Sequence, residues 1–217
     1  MTFIEKLRCL FTFGQGVALP LPEIDTNADP MALFKLWFDE ANKSGILLPE
    51  AMSVSSVNQA GQPSCRMVLL KEYDDDGFVF YSNYGSRKSA ELNANAKVAL
   101  LFHWNVLQRQ IRIEGSVEKV SAEQSATYFH SRDRGSQIGA WASRQSHTLE
   151  SDTELAARVD YYTKKFAGKA VPLPEFWGGW RVKAHYLEFW QGRANRLHDR
   201  VCFERTDNAW RNFKLQP

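Results

Sequence analysis

The chain is short of cysteine, of net charge and of long apolar runs, and each shortage removes a class of protein. Cys9, Cys65 and Cys202 are odd in number, far apart and in no Cys-x-x-Cys pair. Neither a disulfide framework nor a cysteine zinc site is expected, and a reducing cytoplasm suits them best. The histidines, His103, His130, His147, His185 and His198, show no ligand spacing, so no metal is expected either. With 27 Lys+Arg against 25 Asp+Glu, the formal charge is only +2; nothing in the bulk electrostatics draws the chain to nucleic acid or to a membrane. Any anion site must be local. The longest apolar run, Val98 to Phe102, is too short to span a bilayer. The opening "MTFIEKLRCLFTFGQG", charged at Glu5, Lys6 and Arg8, lacks a signal-peptide core. P-loop, Gly-x-Ser-x-Gly and GxGxxG elements are missing too.

What is present is a globular composition, 44% hydrophobic and 13% aromatic over 217 residues, enough for one sizeable core. Residues 1–28 read as a poorly ordered or lid-like arm, broken by Gly14, Gly16, Pro20 and Pro22. A single domain over 29–217 follows. Asp29-Pro30 starts a helix whose apolar positions are Leu33, Leu36, Trp37 and Ala41. Between residues 51 and 119 the pattern turns to strands, "MSVSSVN", "RMVLLKEY", "GFVFYSN", "KVALLFHW" and "RQIRIEGSVEKV", joined by tight turns. Antiparallel pairing into a barrel is expected. A helix capped by Ser86 interrupts them. Helical signals return at Ser121, and "DTELAARVDYYTKKF" carries an apolar face of Leu155, Val159 and Tyr162. "VPLPEFWGG" reads as a loop, and "WRVKAHYLEFW", "LHDRVCFER" and "AWRNFKL" as closing strands. The class is mainly β with flanking helices, α+β.

Several local patterns suit anion binding. Arg87 and Lys88 follow the Ser86 cap in a first helical turn, where the macrodipole disfavours cations, so a phosphate cradle or a solvated charged turn is implied. Arg66 could converge on it. Tyr128, Arg132 and Ser136 are four residues apart, which on a continuing helix would align a phenol, a guanidinium and a hydroxyl; the alternative is a surface arginine with unrelated neighbours. Lys71 ends "RMVLL", expected to be an otherwise buried strand, and could add a charge or simply reach solvent. Gln110, and Gln145 with Ser146, could read a heterocycle edge that alternates carbonyl and N–H. In "WQGRANRLHDR", an extended chain would put Arg196, His198 and Arg200 on one face and Leu197 and Asp199 on the other.

The segments "RMVLLK", "GFVFYSNYGSRK", "LLFHW", "RQIRIEG", "YFHSRDRGSQIGAWASRQS", "WGGWRV" and "EFWQGRANRLHDR" together, in order over residues 29–217, resemble the pyridoxine (pyridoxamine) 5′-phosphate oxidases. The resemblance implies an FMN-binding split β-barrel, a homodimer with flavin at the subunit interface, and a place in vitamin B6 cofactor synthesis. It places Arg66, Met67, Val68, Leu69, Leu70, Lys71, Tyr81, Ser82, Arg87, Lys88, Gln110, Gln145, Ser146, Trp190 and Arg200 at FMN. The substrate, pyridoxine or pyridoxamine 5′-phosphate, would meet Lys71, Tyr128, Arg132, Ser136, Arg196, Leu197 and His198, with Arg196 and His198 catalytic. In such enzymes the substrate's C4′ gives a hydride to the flavin, and O2 reoxidises it to give H2O2, with ammonia released from the amine substrate.

Two departures from the family pattern stand out. The arm reads Leu7-Arg8-Cys9-Leu10-Phe11 where the family has Leu-Arg-Arg-Glu-Tyr, and the C-terminus ends in Leu-Gln-Pro, as in phenazine-pathway oxidases of the same barrel. Such an oxidase, or a non-catalytic FMN or pyridoxal-phosphate binder, are the competing expectations. The cluster of Tyr128, Arg132 and Ser136 favours a phosphorylated substrate, and the pair Arg196 and His198 favours catalysis.

Overall fold

The computed structural model describes residues 29–217 except Asn208; the expected arm over 1–28 lies outside the described residues. Helix α1 (Pro30–Lys43) starts as the sequence implies, with the Asp29 carboxylate accepting from the Met31 amide at 2.9 Å. Its buried residues, among them Leu33, Phe34, Trp37 and Ala41, recur at helical spacing. The Phe34 ring meets Phe78, Tyr73 and Phe102 at 4.9, 5.0 and 5.4 Å, and so plugs the core of the sheet.

Among the described residues, nine antiparallel strands form one sheet. They are β1 (Ala51–Val57), β2 (Pro63–Leu69), β3 (Glu72–Asp74), β4 (Gly77–Asn83), β5 (Lys97–Trp104), β6 (Arg109–Lys119), β7 (Trp177–Gln191), β8 (Asp199–Arg205) and β9 (Trp210–Lys214). The order is β2-β1-β5-β6-β7-β4-β3, with β8 on β7 and β9 on β8. The two edges, β2 and β3, are separated in sequence only by Leu70 and Lys71, so the sheet has to curl until its edges meet. At that seam the Leu70 amide donates to Glu50 O at 2.9 Å and the Lys71 amide to Val79 O at 2.8 Å. Inside the curl lie Met52, Val54, Phe78, Phe80, Leu100, Phe102, Ile111, Ile113, Leu187 and Phe189, all buried. Long β7 serves two neighbours along one side, β4 with residues 177–182 and β8 with residues 186–191.

Four further helices flank the sheet: α2 (Arg87–Ala94), α3 (Ala122–Ser131), α4 (Arg134–Ala142) and α5 (Glu154–Lys165). A second, smaller core of Phe129, Ile138, Phe166, Val171 and Trp177 packs α3 to α5 over the start of β7. Among the described residues no helix is long and apolar enough to cross a membrane.

Four expectations are corrected. Strand "RMVLL" is not buried: β2 is an edge strand, and Met67 is 63% exposed. The apolar face expected on α5 is only partly used, because Tyr162 packs on Trp141 while Leu155 and Val159 stay exposed. The segment Trp190 to Arg200 is not one strand, since β7 ends at Gln191 and β8 begins at Asp199. Strand β7 begins at Trp177, inside the expected loop, because Gly178 and Gly179 are strand residues pressed by side chains rather than turn residues. A Cβ on Gly179 would stand 2.6 Å from Val120 Cγ2 and 2.8 Å from Tyr81 Cε1. Gly179→Ala is therefore expected to cost about 1–3 kcal/mol of stability, the usual penalty for overpacking, read as a lower urea midpoint with an unchanged slope.

Candidate active site

One cavity of about 770 Å³ opens between β2, β4, the start of α2 and the α3–α4 pair, a size that suits drug-sized ligands. Its lining includes Arg66, Met67, Val68, Leu69, Lys71, Tyr81, Ser82, Arg87, Lys88, Tyr128, Arg132, Ser136, Gln145 and Ser146. Residues from five separate segments of sequence are thus brought together. Leu70, by contrast, turns into the core and is 4% exposed.

The first group of cations gathers at α2. Ser86 caps the helix, its hydroxyl accepting from the Ser89 amide, and the first turn contains no acidic residue. Lys88 in that turn is buried, and its ammonium donates only to neutral acceptors: Ser82 Oγ at 2.7 Å, Ser86 Oγ at 3.2 Å and Gln145 Oε1 at 3.3 Å. Burial, and secondarily the charge of Arg66, pull its pKa down to about 8. Arg66 is tied into the wall by Val54 O at 3.1 Å, Ser56 Oγ at 2.5 Å and the Glu91 carboxylate at 3.0 Å. Glu91 also accepts from Arg87 Nε at 2.9 Å.

The second group sits where α3 gives way to α4. Here the expected continuous helix breaks: Arg132 is extended, at φ −74° and ψ 153°, and Asp133 caps α4 by accepting from the Ser136 amide at 2.8 Å. Arg132 and Asp133 thus lie between the two helices, and Gly135 lies inside α4. Tyr128, Arg132 and Ser136 still face one cavity. Tyr128 stacks on Tyr81 at 4.0 Å, and the Arg132 guanidinium lies 4.8 Å from the centre of the Trp177 ring. Arg132 Nη1 is buried with no hydrogen-bond partner, and burial lowers the pKa of the guanidinium. A buried cationic nitrogen without a partner, in a side chain that lines a cavity, suits an anionic ligand.

Gln110, Trp190, Arg196, Leu197, His198 and Arg200 do not line this cavity. Gln110, Trp190 and Arg200 pair in one row across β6, β7 and β8. Beyond Gln191 the chain leaves the sheet through a short 3₁₀ turn, Ala194–Arg196, where Asn195 and Arg196 take φ of 58° and 61°. The alternation expected of a strand therefore fails there. Arg196 and Leu197 project as exposed residues of this loop. The His198 ring lies 4.5 Å from that of Trp190, and its Nδ1 accepts from the Arg193 amide at 3.2 Å, which leaves the proton of the neutral ring on Nε2. Arg200 is held by both oxygens of Glu188, at 2.8 and 3.0 Å. Asp199 partners Arg193 at 2.6 Å.

Sequence reasoning missed Glu72, Glu91 and Trp177. Glu72 accepts from the Tyr81 hydroxyl at 2.7 Å and from Gln124 at 2.6 Å, so it sets the ring on which Tyr128 stacks. Burial first, and then that bond, raise the Tyr81 pKa. Only Glu91 left a local signal, its i,i+4 spacing from Arg87.

Lys88 generates a pH prediction. Unfolded, its amine holds a proton to about 10.5; folded, it releases it at about 8. The folded state thus carries a desolvated charge below pH 8, and its stability should rise as pH climbs from about 8 to 10.5. Lys88→Met is expected to stabilise the ligand-free protein at pH 7 and to lose most of that advantage by pH 10. Urea midpoints of both proteins at the two pH values check this, and an advantage independent of pH would refute it.

Comparison with known proteins agrees on one family. Residues 38–166 match the model described as pyridoxamine 5′-phosphate oxidase, and residues 177–217 that of the pyridoxine 5′-phosphate oxidase C-terminal dimerisation region. A pyridoxine/pyridoxamine 5′-phosphate oxidase of Colwellia psychrerythraea is 70% identical over 217 residues, 100% of each chain. The crystal structure of PhzG from Burkholderia lata, in complex with tetrahydrophenazine-1-carboxylic acid, matches with TM-score 0.87 at 27% identity over 93% of this chain and 100% of that one. A pyridoxamine 5′-phosphate oxidase-related, FMN binding protein from Nostoc punctiforme matches with TM-score 0.71, 10% identity and 89% and 100% coverage, a likeness of fold alone. With its curled antiparallel sheet of the FMN-binding split-barrel type, the chain belongs to the pyridoxamine 5′-phosphate oxidase family.

Proposed function

We propose that this chain oxidises pyridoxine 5′-phosphate and pyridoxamine 5′-phosphate to pyridoxal 5′-phosphate in the cytoplasm, with FMN in the cavity and O2 as the final acceptor. The observation that carries this reading is the orphaned, buried Nη1 of Arg132 in the same cavity as the buried Lys88, whose ammonium has only neutral acceptors. Two phosphorylated molecules that must lie side by side require two such sites. The donor set fits both. Lys88, Arg87, Arg66 and the free amides of the α2 N-terminus suit the FMN phosphate, with Met67 to Leu69, Lys71, Tyr81, Ser82, Gln145 and Ser146 around the rest. Arg132, Tyr128, Ser136 and Lys71 suit the substrate phosphate.

When bound, FMN would accept a hydride from the substrate's C4′ and pass the electrons to O2, giving H2O2. The chain's own contribution is orientation. Anchoring the substrate phosphate on Arg132 leaves the ring few ways to lie, and the guanidinium of Arg196 with the Nε2–H of His198 would hold its far side. Gln110, Trp190, Arg196, Leu197, His198 and Arg200 belong, in this reading, to the cavity of a second copy in a homodimer, consistent with the dimerisation region matched over 177–217. A second reading is favoured by the likeness to PhzG, whose complex holds an unphosphorylated acid: oxidation of a phenazine precursor. The convergence of Arg132, Tyr128, Ser136 and Lys71 weighs against it, because four donors suit the three oxygens of a phosphate monoester better than the two of a carboxylate.

Pyridoxine 5′-phosphate is expected to bleach the FMN-loaded protein under anaerobic conditions, and dihydrophenazine acids are not. A protein that resists bleaching by the phosphate is a binder, not an oxidase. Arg132→Met should lower kcat/KM by about 10–100-fold, the cost of a charge-assisted contact, without loss of FMN. Arg196→Ala should lower turnover while FMN stays bound. Co-expressing the last two variants tests the shared site: each mixed dimer contains one cavity built wholly of native residues, so activity should return to about a quarter of wild type. No recovery would place Arg196 in its own subunit's site.

A further inference from the structure

Glu91 is a buried carboxylate directly behind the cationic wall of the cavity, one helical turn after Arg87 on α2. Every polar contact it makes serves that wall. Its Oε2 accepts from Ser56 Oγ at 2.6 Å, Ser64 Oγ at 2.5 Å and Arg66 Nη2 at 3.0 Å, and its Oε1 from Arg87 Nε at 2.9 Å. Burial alone would raise its pKa, but the bonds from Ser56, Ser64, Arg87 and Arg66 outweigh it and hold the carboxyl at about 2. It is therefore charged at neutral pH.

Three cations stand in this corner, Arg66 from β2 and Arg87 and Lys88 from α2. Arg66 and Lys88 already repel, and the Arg87 side chain is 62% exposed. Left to itself, such an arginine would extend into water. The Glu91 carboxylate removes both difficulties with one group: one oxygen takes Arg66, the other takes Arg87. The two serines complete its hydrogen bonding, so that neither arginine is drawn off by a competing need. We propose that Glu91 is a positioning residue which clamps Arg66 and Arg87 for a phosphate monoester and so sets the preference of this site for a phosphorylated flavin. The inference rests on the FMN reading of the cavity. Glu91 touches neither flavin nor substrate in this role; it acts through the two guanidiniums.

A screening charge would act in the opposite direction. If Glu91 merely offset surplus positive charge, removing it would tighten phosphate binding. Positioning predicts that removal weakens binding, because the arginines lose their aim and repel Lys88 and each other. The sign of the effect therefore separates the two.

Flavin-free protein should be titrated with FMN and with riboflavin, followed by quenching of flavin fluorescence, since riboflavin lacks only the phosphate. Glu91→Gln is expected to weaken FMN binding at least about tenfold, as for one lost charge-assisted hydrogen bond, and to change riboflavin binding by less than about twofold. Glu91→Asp retains the charge but is one methylene too short to reach both arginines, so its FMN affinity should fall between those of wild type and Glu91→Gln. It carries the test if the glutamine variant does not fold. Unchanged or tighter FMN binding, or equal loss of both flavins, would overturn the clamp. Wild-type protein that takes FMN no better than riboflavin would instead sink the phosphate-site reading on which the clamp rests.

Discussion

The join between β2 and β3 governs the molecule. Two strands at opposite edges of the sheet are only Leu70 and Lys71 apart in the chain. A flat sheet cannot satisfy that connection, because its edges would be separated by the width of the strands between them, at nearly 5 Å per strand. The sheet curls, and the curl has two consequences. Its inner face closes around Phe34, Phe78, Phe102 and Phe189 as a dry core. Its outer surface brings β2 near α2 and β4, so that Arg66, more than twenty residues before Arg87, shares a carboxylate with it. The seam also leaves Lys71, with its amide tied to Val79, at the cavity's edge.

Electrostatics explains how so balanced a chain can still present local clusters of positive charge. A net charge of +2 spread over 217 residues carries little information; the placing of carboxylates carries much more. Several cations elsewhere are held in pairs: Arg109 with Glu40, Arg181 with Asp74, Arg211 with Glu204 and Arg200 with Glu188. Of the cations that line the cavity, Lys88 has only neutral acceptors and Arg132 an unmet donor. A buried charge without its counter-charge costs stability in the empty protein. That cost is tolerable where a ligand supplies the counter-charge.

Much of this was readable from the chain, and what was not has a physical reason. The Ser86 cap with two cations after it is local chemistry, so the start of α2 could be read directly. Four-residue spacing rightly grouped Tyr128, Arg132 and Ser136, although a helix break and a second cap, rather than one helix, bring them together. Strand alternation misled at Arg196 because left-handed φ at Asn195 and Arg196 carries no glycine to announce it. The roles of Glu72 and Trp177 were invisible, since their partners, Gln124 and Tyr128, are distant in sequence and depend on how the helices lie over the sheet. Gly178 and Gly179 were read as a turn because close packing and tight turning call for the same residue.

The residues absent from the cavity follow a pattern of their own. Gln110, Trp190 and Arg200 form one row on a polar face of β6, β7 and β8, in which Glu188 binds both Arg112 and Arg200. Such a network fixes side chains that have no cavity of their own to serve. The adjoining loop is equally well anchored, by Arg193 to Asp199 and by the Arg193 amide to His198, yet it projects Arg196 and Leu197 outward. Order on the inside combined with exposure at the tip is what a surface needs if it is to complete a site on another molecule, because the entropy of ordering the loop has been met before the encounter. In a symmetric pair each chain would offer one cavity and one loop, so neither could act alone. Dimerisation would then be a condition of chemistry rather than of stability, and the phosphate anchors could stay rigid while the ring-facing groups arrive from the partner.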